Sequence, residues 1–286
     1  MKKIILGFLT IVSANKSFPQ TALEKTLLWQ VTGPGIQQPS YLYGTIHVLC
    51  TNDLVVDSII TEKFNSTQQL FLELDMDDMK TLTGAMQGMM MKDNITLHDL
   101  LDKEMYDTVA ANFEKLTKIP FAFVGRIKPM MAMSFIFPAI LGCEPEAWEQ
   151  KLVQMAKEKN IPVNGLETVQ QQIDVLDSIP LKIQADMLAK SLKDVDSLKQ
   201  SFNQMLELYK TKDIDSLYKQ TESEEDFSNY EGVLIQERNS NWVSKIISEA
   251  IQKPTFFAFG AAHLAGQYGV INLLRDKGYT VTAVIY

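Results

Sequence analysis

Apolar residues form short unbroken runs near both ends of the chain and recur at helical spacing between them. Leu27 to Val31, Ser40 to Ile46 and Gln69 to Leu74 read as strands, and Gly33-Pro34-Gly35 is a turn that folds the first two into a hairpin. A helix from Asp53 to Phe64 separates the hairpin from the third strand. From Asp75 to Gln252 the period is mostly helical, with breaks at Gly125, Pro129, Pro138, Pro145, Pro162 and Pro180 and one short strand from Pro162 to Leu166. Thr96-Leu97-His98-Asp99 opens one of these helices as a capping box, which makes His98 an exposed first-turn residue. Thr255 to Gly260 is again a strand, Leu264 to Lys277 a helix closed by Gly278, and Tyr279 to Tyr286 a last strand. The expected fold class is α/β to α+β: a central mixed sheet built from the N- and C-terminal segments, with a largely helical region at about 76–252. The two ends resemble distant βαβ copies.

The first residues follow a different pattern. Met1-Lys2-Lys3 is a basic start, Ile4 to Val12 is apolar, and cleavage fits after Val12-Ser13-Ala14 or near Pro19-Gln20, so residues 1–20 read as a signal peptide and 21–286 as the folded domain. An amphipathic first helix is the alternative reading. The apolar run is about half of the ~20 residues a membrane-spanning helix needs. The expected protein is therefore exported, periplasmic or extracellular, with no stable membrane insertion once the leader is removed.

Composition narrows the partners. The chain has 286 residues, 46% of them hydrophobic, a net charge of −8 and no basic run, which argues for a globular protein and against nucleic acid as partner. In an oxidising compartment Cys50 and Cys143, the only cysteines, suit a single disulfide. Two unpaired buried thiols, or Cys50 as nucleophile or ligand, are the other readings. Ten of the fourteen methionines lie between Met76 and Met133. Such side chains suit an adaptable peptide-binding groove, loosely packed helices or, as a third option, a soft metal.

The candidate chemistry sits at strand ends. Tyr41-Leu42-Tyr43-Gly44-Thr45-Ile46-His47 and Phe256-Phe257-Ala258-Phe259-Gly260-Ala261-Ala262-His263 both close an apolar run with Gly-x-x-His, and they hold two of the chain's three histidines. Each phrase delivers an imidazole just past the C-terminal end of a buried strand, where open α/β sheets place their sites. Glycine there permits a sharp turn or close backbone approach. Phe71-Leu72-Glu73-Leu74-Asp75 adds Glu73 and Asp75 on one face of a strand end, where a buried charge needs a partner. Two imidazoles and a carboxylate form an open, catalytic type of metal set. Hydrogen-bonded core histidines are the competing interpretation.

These phrases, taken with Gly165-Leu166-Glu167-Thr168, Glu237-Arg238-Asn239, Trp242, Gly266, Gly269 and Leu273-Leu274-Arg275, resemble the TraB/GumN family in order from about Leu27 to Tyr286. That family includes the TIKI metalloproteases and is distantly similar in fold to erythromycin esterase and ChaN-like haem-binding proteins. The resemblance implies a metal-dependent peptidase with His47, His263 and Glu73 at the metal, a divalent ion that is manganese or cobalt rather than a structural zinc, and a peptide or protein substrate. Glu73 is then either ligand or general base. If it is a ligand, Asp75 or Glu167 is the base, and Arg238 and Asn239 orient the carboxylate or stabilise an oxyanion. Structural pairings are an equal reading for Glu167, Arg238 and Asn239. The chain departs from the family where a Gly-x-Asp phrase is expected, reading Gly142-Cys143-Glu144-Pro145-Glu146-Ala147-Trp148 instead. The first expectation is an exported metallopeptidase. A non-catalytic metal-, haem- or peptide-binding protein and a metal-dependent esterase are the alternatives.

Overall fold

The computed structural model describes residues 22–223 and 228–286; the expected signal peptide lies outside the described residues. Strands β1 (Leu28–Thr32), β2 (Ser40–Thr45), β4 (Gln69–Leu72), β6 (Val163–Gly165), β7 (Thr255–Gly260) and β8 (Thr280–Val284) form one mixed sheet in the order β6-β4-β7-β2-β1-β8. β6, β4, β7 and β2 run parallel, while β1 is antiparallel to both β2 and β8. The mixed sheet from both chain ends and the helical middle are thus as the sequence predicts.

Burial on both faces explains the continuous apolar runs, since all residues of β2 and β4 are buried. On one face, Tyr43 and Phe256 meet Phe64 and Trp148, carried by helices Ser58–Asn65 and Trp148–Lys159. On the other, Phe259 packs against Trp242 of the helix Glu237–Gln252. Helices Lys103–Thr117, Pro129–Leu141 and Leu181–Lys193 pack on one another beyond the sheet through Val109, Phe113, Ile136 and Leu188.

Several element bounds differ from expectation. The helix after the hairpin starts at Ser58, where Asp57 caps the Ile59 N–H, and not at Asp53, which ends a 3₁₀ turn. Pro138 does not break its helix, because Ala132, Ile136 and Ile140 keep that helix buried on either side of it. The segment after His263 is helical only over Val270–Asp276, preceded by a 3₁₀ turn at Ala261–His263. Gly266, at φ +85°, ends any continuous helix there. The methionines divide between surface and core: Met79 and Met86 are exposed on the helix Met79–Gly88, while Met91 is buried.

A two-stranded ladder, β3 (Leu49–Cys50) with β5 (Pro145–Glu146), joins the loop after His47 to the loop before Trp148. Cys50 and Cys143 are disulfide-bonded beside it, 93 residues apart in sequence. A loop of that length loses much of its denatured-state freedom when closed, so reduction is expected to lower stability by about 2–5 kcal/mol, read as a drop in urea midpoint with dithiothreitol. Two titratable thiols in unreduced protein would rule the bridge out.

Candidate active site

The four parallel strands each hand over one candidate residue at the same edge of the sheet. In spatial order these are Glu167 after β6, Glu73 after β4, His263 after β7 and His47 after β2. Parallel register puts Thr45 opposite Gly260 and Leu72 opposite Gly165, while Phe71 opposite Phe257 sets the ends of β4 and β6 two residues short of those of β7 and β2. Gly44 is required by close approach: a Cβ there would stand 2.7 Å from Leu264 Cδ1 and 3.1 Å from Ala261 Cα. The second motif's Gly260 gives its N–H to Glu73 Oε1 at 2.9 Å.

Arg238 ties three of these groups together. Its Nη2 donates to Glu73 Oε2 at 2.5 Å and to Glu167 Oε1 at 2.6 Å, its Nε to Glu167 Oε2 at 3.2 Å, and its Nη1 lies 3.2 Å from His263 Nε2. Trp242 packs at a tilt against the His263 ring, lies under the guanidinium and gives its indole N–H to Glu167 Oε2. All come from one helix because Arg238 and Trp242 are spaced i, i+4. The side chains of Glu73, Glu167 and Arg238 are only 12%, 5% and 13% exposed. Burial opposes the charge on Glu73, but Arg238 and the Gly260 N–H outweigh it and hold its carboxyl well below the usual range.

Asn239 sets the tautomer of His263. Its amide nitrogen donates to the carbonyls of His263 and Tyr268, which leaves Oδ1 as acceptor for His263 Nδ1–H at 2.7 Å. Nε2 therefore carries the lone pair and faces the site. Burial, aided by Arg238, pushes the His263 pKa down to about 3. Between that value and the unfolded value of ~6.5, the unfolded chain binds a proton that the folded chain does not. Stability should accordingly fall as pH drops through that window. Urea midpoints of metal-free protein should decline more steeply between pH 6.5 and 4 than those of His263→Asn; equal slopes would count against a buried neutral imidazole.

His47 is a different case. Its side chain is 69% exposed, and its Nδ1 lies 3.1 Å from Glu149 Oε1, which also accepts from Thr45 Oγ1 at 2.7 Å. The hydrogen bond to Glu149 raises the His47 pKa, while solvent screens the pair and keeps its worth to stability small. Glu73 and Arg238 are within electrostatic range of His47.

Glu149 is the site residue that the sequence reading missed. It lies one residue beyond the segment where the Gly-x-Asp phrase was expected, in the first turn of its helix. An acid there also suits the helix dipole, which masked it. Gln172, reaching Glu73 Oε2 at 3.4 Å, was missed as well. Asp75, a proposed base, is not brought to the site: its Oδ1 caps the Asp77 N–H in the turn that follows. Among the described residues no three histidine, cysteine or acidic side chains stand close enough together to hold a metal ion, and no helix is long and apolar enough to cross a membrane.

Comparison with known proteins bears on this arrangement. The chain is 23% identical over 318 residues to Metalloprotease TIKI2 of Danio rerio, covering 90% of this chain and 60% of that protein. It is 24% identical over 324 residues to Metalloprotease TIKI1 of Homo sapiens, covering 92% and 63%, and 22% identical over 335 residues to the Metalloprotease TIKI homolog of Nematostella vectensis, covering 96% and 70%. The chain thus spans about three fifths of the length of Metalloprotease TIKI2. No solved structure matches it. The sequence profile of the TraB/PrgY/gumN family matches residues 27–283, which takes in every strand of the sheet but the final residue of β8, and the chain belongs to that family.

Proposed function

We propose that the chain is an exported metal-dependent hydrolase whose reaction is peptide-bond cleavage. The observation that carries this reading is the position of His47, His263, Glu73 and Glu167, each just past the C-terminal end of one of four adjacent parallel strands, where open sheets place reactive groups. The similarity to TIKI metalloproteases supports the reaction class.

The donor set suits a divalent cation in type and charge. Both Gly-x-x-His imidazoles have Nδ1 held by an oxygen from a helix, Glu149 Oε1 for one and Asn239 Oδ1 for the other, so each would offer Nε2 as ligand, that of His263 once Arg238 Nη1, now 3.2 Å from it, gives way. Glu73, Glu167 and Glu149 against Arg238 leave two negative charges uncompensated when the imidazoles are neutral. His47, His263 and Glu73 would hold the ion, and manganese or cobalt is the proposed metal. When bound, such an ion polarises a carbonyl and lowers the pKa of water.

The protein groups then divide the remaining work. A carboxylate held far below its usual pKa is a poor base and a good anionic ligand, so Glu73 is assigned as ligand. Arg238 supplies fixed positive charge 3.2 Å from His263 Nε2, which favours negative charge developing on a carbonyl oxygen beside that nitrogen. Glu167 orients Arg238 through two contacts and has its Oε2 shared with Trp242.

One observation favours a non-catalytic binding protein instead, namely that Arg238 stands between Glu73 and His263 and no three donors converge. A mixed peptide library incubated with the protein and manganese, cobalt, zinc or chelator, beside His263→Ala, separates the readings. Metal-restored cleavage absent from the variant supports the peptidase. Metal uptake by folded protein without cleavage of peptides supports the binding protein, and cleavage of esters alone the esterase.

A further inference from the structure

The two histidines at the strand ends are held in different ways. His263 is buried and fixed on several sides, by Asn239, Trp242 and Arg238. His47 is mostly exposed, and among the described residues its ring is hydrogen-bonded only to Glu149, 102 residues away in sequence. A ring in water keeps one orientation through such a contact only when both partners are held. Glu149 is held, because its helix begins with Trp148, buried against Tyr43 with ring centres 5.0 Å apart, and because its Oε1 also accepts from Thr45. His47 lies in the short loop between β2 and β3, which must itself be tied down.

The noncovalent ties of that loop to the segment before Glu149 are few. β3 and β5 share two residue pairs, Leu49 with Glu146 and Cys50 with Pro145, and the proline brings no N–H to the ladder. Thr51 adds its N–H and its hydroxyl, both donated to the Glu144 carbonyl, at 3.0 and 3.1 Å. Residues 142–145 are exposed, and a two-stranded ladder open to water is marginal by itself. The Cys50–Cys143 bond closes this ladder covalently, three residues after His47 and six before Glu149. It fastens the loop that carries the imidazole to the segment that leads into the partner carboxylate.

We propose that the Cys50–Cys143 bridge is a positioning element for the first Gly-x-x-His motif: it keeps the His47 ring on Glu149, and its reduction frees that imidazole while His263 stays in place. The effect on the ring stands apart from any metal; the consequence for metal binding rests on the reading of His47 as a ligand. Reduction is an exchange with a dithiol, which gives up two electrons and two protons and closes to its own disulfide, while Cys50 and Cys143 become thiols. Cys143 is exposed, so the bond is within reach of such a reagent.

The test uses residues 21–286, whose three histidines each give one ring carbon–proton signal in NMR, assigned by its loss in His47→Asn and His98→Asn. In metal-free protein treated with dithiothreitol, the His47 signal is expected to move to the position it takes in Glu149→Ala, where the contact is absent. The His263 and His98 signals should stay, and reoxidation should restore the first. A two-glycine insertion between Glu146 and Ala147 keeps the bridge and its restriction of the unfolded chain, but puts slack between bridge and Glu149. It should move the same signal without reductant. Manganese affinity, read from the paramagnetic resonance of the free ion, should fall at least about tenfold in both forms, the scale for losing the group that orients a ligating histidine. Circular dichroism reports which forms are folded, and if the reduced chain is not, the insertion variant decides alone. An unmoved His47 signal in the folded insertion variant, or in folded reduced protein, overturns the proposal and leaves the bridge as a stabiliser only. A moved signal with unchanged manganese affinity, or with no metal bound in any form, supports the positioning role and removes His47 as a ligand.

Discussion

Arg238→Ala is expected to destabilise the protein by about 3–5 kcal/mol, the scale for removing one partner from a buried ion cluster. The guanidinium is the only cation in contact with Glu73 and Glu167 among the described residues, and both carboxylates are nearly inaccessible to water. Its loss also uncovers the Trp242 face and the Leu234 carbonyl. Arg238→Lys should lie between, since an ammonium keeps the charge but cannot reproduce the fork that reaches both oxygens of Glu167. Most informative is the triple change Arg238→Met, Glu73→Gln and Glu167→Gln, which should cost less than Arg238→Ala alone because no charge is stranded. Urea unfolding at neutral pH provides the values. A loss below about 1 kcal/mol for Arg238→Ala would mean that water reaches the carboxylates freely and that the cluster is a surface one.

Glu73→Gln should reduce hydrolysis on the order of a hundredfold or more, beyond the 10–100-fold typical of losing a group that only supports a ligand. Glutamine keeps the shape, but its single carbonyl oxygen replaces only one of the two carboxylate oxygens that accept from Gly260 and Arg238, so the protein is expected to fold with a loss of about 1–3 kcal/mol. What disappears is the negative charge that faces Arg238. If Glu73 is a ligand, bound manganese measured after gel filtration falls together with turnover. Retention of metal with lost turnover would instead make it the proton acceptor, and full retention of both would remove Glu73 from the reaction.

Much of this site was legible because the fold puts chemistry where strands stop. An apolar run followed by Gly-x-x-His announces both a buried strand and the residue beyond it, which is why His47 and His263 stood out. Glu73 was legible as a charge ending a buried strand, but Asp75 looked equivalent on strand periodicity. The strand ends at Leu72, so the alternation that paired the two acids no longer applies to either. Glu149 was hidden because its contacts with Thr45 and His47 span about a hundred residues. Its local surroundings are those of any acid in a helix first turn. Helix ends were misplaced for a related reason: Asp57 as cap and Gly266 at positive φ are local signals, but the apolar residues around them continue the helical pattern past both.

The order of strands in the sheet also sets when the molecule can take shape. β7 lies between β4 and β2, yet it is the second-last strand to leave the ribosome, and β8 pairs with β1 at the opposite end of the chain. Until Gly260 has emerged, β2 and β4 have no common neighbour. A growing chain thus carries one histidine and the glutamate on segments that nothing yet brings together. Such non-local pairing delays folding until synthesis is nearly complete. A site assembled in this order is absent while the chain is being made, and its two histidines first share a sheet when β7 joins β2 and β4.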